Sequence, residues 1–138
     1  MYDLVYRDGI YYKKFTETPF TGKLIGEVQG RLKDGKKEGK WVRYWSSGQL
    51  YEKIGYKNGK VHGEWINYFN SGELWKKGSY KNGKKDGESV SYHENGELFR
   101  KGNYKNGKGE GKWVIYKDNG TVDKAGTGTY KHGRKVSD

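Results

Sequence analysis

Two stretches of this chain come within one residue of a phosphate-binding loop. Gly78-Ser79-Tyr80-Lys81-Asn82-Gly83-Lys84 and Gly102-Asn103-Tyr104-Lys105-Asn106-Gly107-Lys108 each carry the two glycines and the lysine that wrap a nucleotide phosphate. The Ser or Thr that should follow is Lys85 in one and Gly109 in the other. Such a loop also aims a helix N-terminus at the phosphate, and neither stretch leads into a helical pattern. Both therefore read as turns. The three histidines, His62, His93 and His132, show no metal-ligand spacing. His93 lies near Ser91 and Glu88, but one strand cannot fold those three into a relay, so the histidines are expected to face solvent. Glu64, Glu73, Glu88 and Glu97 sit beside lysines with no sign of a cleft that would raise a pKa. No catalytic residue, metal ligand or cofactor site is expected, and the chain does not read as an enzyme.

Two other residue sets suit binding. Lys57, Lys81 and Lys105 precede Asn-Gly pairs, and Lys36, Lys60, Lys84 and Lys108 follow the turn glycines. They should line one long edge as a rail able to meet anions; solubility and edge protection are its simpler use. The second set is aromatic: Trp41, Trp65 and Trp113 with Tyr44, Tyr68, Tyr92 and Tyr116. On a regular strand the Trp and Tyr positions point to opposite faces. The tyrosines are expected in the core. The tryptophans are expected either there or as an exposed row for a protein partner.

What must position these residues is a 24-residue period. Gly35, Gly59, Gly83 and Gly107 keep that spacing, as do Gly39, Gly63, Gly87 and Gly111, and Gly48, Gly72, Gly96 and Gly120. So do the four tyrosines and the column Leu50, Leu74, Leu98 and Val122. A period in this range marks a stacked repeat whose units bury their apolar side chains against neighbours. Each unit reads as two strands and two turns, with glycines at the bends. Gly63–Phe69 and Glu73–Tyr80 are rich in strand formers, and Asn-Gly is the strongest short hairpin signal. The result is an all-β antiparallel meander, one hairpin per repeat. At the first turn two registers remain open. A two-residue turn would set Tyr44 opposite Tyr51 and Tyr68 opposite Trp75; a three-residue turn with a glycine bulge would set each Tyr opposite its Leu.

Composition agrees with a thin fold. Of 138 residues only 31% are hydrophobic, yet 16% are aromatic, and the rings recur in register. The core is therefore expected to be built from rings. The net charge is +11, with six Lys/Arg against two Glu in residues 35–58 as its richest unit. There is no cysteine. Nothing approaches the ~20 apolar residues of a membrane-spanning helix. Met1 leads into Tyr2-Asp3-Leu4 without a signal-peptide pattern. That suits a cytoplasmic chain, or a mature exported one with Met1 added. One domain is expected: an irregular cap at 1–34 with an Asp8-Gly9 hairpin, four repeats over 35–130, and a tail at 131–138. Two extra residues precede Tyr130, and the stretch from Phe15 to Phe20 holds the single proline, Pro19.

The pattern Gly-Lys-x-x-Gly-x-Trp-x-x-Tyr-x-x-x-Gly-x-Leu, read at Gly35, Gly59 and Gly107, resembles the MORN repeat in the variant common in bacteria. The unit at Gly83 departs from it, with Ser89 where Trp is expected. The resemblance implies an elongated, twisted, single-layer sheet. It implies no enzyme but a protein-interaction or scaffold module, with the antitoxin of a toxin–antitoxin pair (the YwqK-type group) as one form. It also implies an alternative, binding to anionic phospholipid membranes, and it allows self-association. Single-stranded nucleic acid is disfavoured because the basic residues are diffuse.

Overall fold

The computed structural model describes residues 4–14 and 16–138; Met1, Tyr2, Asp3 and Phe15 lie outside the described residues. Strands β1 (Leu4–Arg7) and β2 (Ile10–Lys13) form a separate hairpin. The other twelve are β3 (Gly22–Leu24), β4 (Val28–Lys33), β5 (Lys36–Tyr44), β6 (Leu50–Lys57), β7 (Lys60–Tyr68) and β8 (Leu74–Lys81), then β9 (Lys84–Lys85), β10 (Gly87–Tyr92), β11 (Leu98–Lys105), β12 (Lys108–Ile115), β13 (Gly128–Lys131) and β14 (Arg134–Ser137). They make one open antiparallel sheet in meander order, with the short β9 paired to β8. There is no helix among the described residues.

The local chemistry of the turns sets this order. Asp8, Asp34, Asn58, Asn82, Asn106 and His132 all have φ near 50°, and each is followed by a glycine near 80°. Positive φ at both central residues is the type I′ turn, whose twist matches that of the strands it joins. Successive turns are tied together. The Gly59, Gly83, Gly107 and Gly133 amides donate to the carbonyls of Lys37, Val61, Lys85 and Gly109 at 2.8–3.0 Å. The P-loop-like stretches are two of these hairpins.

At the opposite ends the two sequence-level registers both occur, separated by a bulge. Tyr44, Tyr68 and Tyr92 pair with Leu50, Leu74 and Leu98, as the three-residue turn requires. One residue further in, the register shifts, so that Arg43 faces Glu52 and Trp41 faces Ile54. The body of each hairpin thus has the register of the two-residue alternative, and Tyr51 is the extra residue. The glycines at 39, 63, 87 and 111 are not bends. They lie within β5, β7, β10 and β12, with φ between 75° and 103°. At three of them, 39, 63 and 111, the pairing with the preceding strand slips by two residues.

Register assigns the faces, because directly paired residues project to the same side. One row across the sheet reads Trp41, Ile54, Trp65, Gly78, Ser89, Gly102, Trp113 and Gly128. Among the described residues this inner face carries all the buried side chains: Leu32, Trp41 and Trp113, with Asn67 and Ser91. A single layer has no second sheet to cover it, so burial is achieved by laying indoles over glycines. A Cβ on Gly30 would fall inside the Trp41 ring, and one on Gly102 inside the Trp113 ring. Tyr56 and Tyr104 close the edges of Trp41 and Trp113, with ring centroids 6.2 and 5.0 Å away.

Gly78 is the exception. A Cβ there would meet Ser89 Oγ at 3.6 Å and Trp65 at 3.8 Å, which is ordinary contact. Gly102→Ala should therefore destabilise by about 1–3 kcal/mol through overpacking. Gly78→Ala should be neutral, or stabilise by about 0.4–1 kcal/mol through a less flexible unfolded chain. Urea melts of the two variants check this; equal losses would contradict the indole-over-glycine packing.

Candidate interaction surfaces

The seven aromatic residues singled out in the sequence do not share a surface. Trp41, Trp65 and Trp113 lie on the inner face. Tyr44, Tyr68, Tyr92 and Tyr116 lie on the outer face with their Leu or Val partners. The tyrosines, expected in the core, are not there, while two of the three tryptophans take the core alternative left open for them. Trp41 and Trp113 are 2% and 7% exposed, whereas the four tyrosines are half-buried. Trp65 is half-buried because Ile54 occupies the place of the glycine it would cover; its Nε1 donates to Glu52 Oε2 at 3.1 Å.

A second inner-face row escaped the sequence reading. Trp45 packs on Tyr51, Phe69 on Trp75, and His93 on Phe99, at 4.3, 5.2 and 4.7 Å between centroids. Cations lie over the second ring of each pair: Arg43 over Tyr51, Lys76 over Trp75, and Arg100 over Phe99. These positions also keep the 24-residue spacing, as do Tyr56, Tyr80 and Tyr104. The period was there to find them.

Of the three histidines His132 is exposed as expected, while His62 and His93 are half-buried and hydrogen-bonded. His62 Nδ1 accepts from the Asn82 amide at 3.2 Å. His93 Nε2 donates to the Tyr116 carbonyl at 3.0 Å, tying two repeats together. His132 takes the positive-φ place that Asn fills in three other turns.

Between the aromatic rows the inner face is polar and changes sign along the array. At the first repeat Glu52 lies 3.7 Å from Arg43 and also accepts from Trp65. In the same column 24 and 48 residues on stand Lys76 and Arg100. Lys85 lies 4.9 Å above the Tyr104 ring and 5.9 Å from that of Trp65. Among the described residues none of these three cations forms an ion pair. Burial pushes the Lys85 amine below the ordinary lysine value, and Arg100 adds to the effect. Lys76 is lowered in the same way by burial, Arg100 and Lys85.

The outer face carries an alternating row, Val42, Lys53, Ile66, Lys77, Val90, Lys101 and Val114. Three hollows of about 320, 360 and 470 Å³ step along it, sharing Glu64 and Glu88 as partitions. Lys77 and Lys101 pair with those glutamates at 3.7 and 3.9 Å.

The lysine rail lies at the type I′ turns. Lys57 faces Lys60, Lys81 faces Lys84, and Lys105 faces Lys108. Lys36 faces Lys33, and Lys131 faces Arg134, which extends the rail at both ends. All ten side chains are exposed, and none forms an ion pair among the described residues.

Residues 37–58, 61–82 and 85–106 each match the family described as the MORN repeat variant. The matched segments start two residues after each turn glycine and include the unit that lacks its tryptophan. Repeats of this type are non-catalytic and generally mediate protein or membrane interactions. No curated protein matches the chain.

The lowered lysines make a pH prediction. Between their folded pKa and the ordinary 10.5, the unfolded chain binds more protons, so stability rises with pH through that window. Tyr80, raised chiefly by burial, acts oppositely and loses its contribution as pH climbs past 10. Lys85→Met should raise the melting temperature at pH 7–8 and flatten the rise toward pH 10. Thermal melts read both, and an unchanged pH slope would contradict the assignment.

Proposed function

We propose that these MORN-variant repeats form a non-enzymatic docking module that binds another protein. The observation that carries this reading is the inner face, where half-buried Trp65, Trp75, Tyr80 and Tyr104 lie in rows with no second layer over them. Rings beside cations suit protein interfaces, where Trp, Tyr and Arg are enriched among the residues that dominate affinity. Trp65 is the one member of the expected tryptophan row that is not fully buried. Tyr44, Tyr68, Tyr92 and Tyr116 offer a second strip on the outer face. The specific form suggested by the family resemblance is an antitoxin that masks a bacterial toxin. A pull-down from native lysate should give a stoichiometric protein partner, with retention reduced at least tenfold by Trp65→Ala together with Tyr104→Ala. No stoichiometric partner, or full retention by the double variant, would overturn this reading.

A second reading rests on the rail, where exposed cations face each other at five successive turns spaced about 10 Å apart. Like charges directly opposite are unfavourable, and an anionic membrane would relieve them at roughly 1 kcal/mol per cation near the surface. Co-sedimentation should be strong with vesicles containing phosphatidylserine, absent with neutral vesicles, and lost when Lys57, Lys60, Lys81 and Lys84 become Gln. Equal sedimentation with both lipids would exclude it.

A further inference from the structure

The third repeat lacks a tryptophan that the other three have and a carboxylate that the first repeat has. Ser89 stands where Trp41, Trp65 and Trp113 stand, so Gly78 has no indole over it. Between Trp65 and Trp113 the inner face is floored by Gly78, Ser89 and Gly102 alone. The second missing group is a carboxylate. Ser91 pairs with Lys76 on one side and Arg100 on the other, which places both cations on strands adjacent to a buried hydroxyl. Lys85 approaches the same floor from its other side, over Tyr104 and Trp65.

The chain contains its own template for what belongs there. In the first repeat, the position equivalent to Lys76 and Arg100 is Glu52, held between the Arg43 guanidinium and the Trp65 indole N–H. The row thus holds a carboxylate among cations and rings in the first repeat. One and two units later the carboxylate's own column carries Lys76 and Arg100, while the Arg43 column carries Asn67 and Ser91, so the charge of the site is reversed. We propose that Lys76, Lys85 and Arg100 form the receptor for a carboxylate side chain, Asp or Glu, presented by a protein partner. This rests on the protein-binding reading and names the chemistry it recognises. Phe99, 37% exposed, lies under Arg100 and gives an apolar neighbour of the acidic residue a surface to pack on. The space between Trp65, Gly78, Ser89 and the Lys85 chain is too narrow for a water molecule. The carboxylate therefore meets the cations at the surface of the face and enters no cavity. Burial first, and the neighbouring cations second, lower the pKa of Lys76 and Lys85, and an arriving anion would raise it.

The test is an NMR titration of the full chain with two blocked peptides, acetyl-Gly-Ser-Glu-Leu-Gly-Ser-amide and its Gln counterpart. Shifts at the amides of Lys76, Ser89, Ser91 and Arg100 should appear with the Glu peptide and be at least tenfold weaker with the Gln peptide. Arg100→Gln and Lys85→Gln should each weaken them several-fold, with the rest of the spectrum unchanged as the check on folding. Equal shifts from both peptides, or shifts confined to the outer face, would overturn the proposal. So would saturation by inorganic phosphate with no response to the Glu peptide, which would make the cluster a phosphate site. A partner captured equally by wild type and Arg100→Gln would leave protein binding standing and remove this site alone.

Discussion

A sheet one layer thick must bury apolar surface without anything packed against it, and the rest of this structure depends on how that is done. A flat indole is laid over a glycine of the preceding strand, Trp41 on Gly30 and Trp113 on Gly102. The glycine gives up its side chain so that the ring can reach the backbone, and a Tyr closes the ring's edge. Burying a large ring is among the strongest stabilising steps open to a chain with so few aliphatic residues. Other features follow from that step. Positive-φ glycines at 39, 63, 87 and 111 kink the strands that carry the rings, and type I′ turns linked by amide-to-carbonyl bonds hold successive hairpins in stack.

The same constraint accounts for the polar centre of the inner face. Side chains there are only partly covered, so charge is tolerated where a closed core would exclude it. At the first repeat that charge is neutralised internally, by Arg43 with Glu52. Toward the third and fourth it is left as three cations, and the Lys76 and Lys85 amines among them are held below the ordinary lysine pKa. Such a cluster costs stability, and functional surfaces are often drawn from places where stability has been given up. The position that breaks the repeat, Ser89, and the charges that break the pairing fall at the same place.

Much of the fold was legible in the sequence because period and turn chemistry are local signals. Asn58-Gly59 and its equivalents need no tertiary information to be read as type I′ turns, and their spacing alone orders the strands. The faces were harder. Tyr44 and Trp41 both recur with the period, and strand alternation puts them on opposite faces without saying which face is the core. Recurrence does not show which face has glycine opposite it, and that partnership, between residues eleven positions apart, decides burial. The hairpin register resisted for a related reason. The bulge at Tyr51 lets both candidate registers coexist, and a single-register reading had to miss half. The inner rings Trp45, Tyr51, Trp75 and Phe99 were legible in principle, since they keep the 24-residue step. The cation cluster was not, because Lys76, Lys85 and Arg100 lie on three different strands and converge only once the register is known.

In a stacked array the interior units are normally the most protected, since each has two neighbours. If indole over glycine is what holds this sheet together, the unit without its tryptophan should instead be an interior weak point. Native-state hydrogen exchange measures this directly. Amides of β10 and the adjoining part of β8, around Ser89 and Gly78, should exchange through a lower-energy opening than those of β5 and β12, which carry Trp41 and Trp113. Ser89→Trp should bring them up to the level of their neighbours. Uniform protection along the array, or a maximum at β10 in the wild type, would contradict the account.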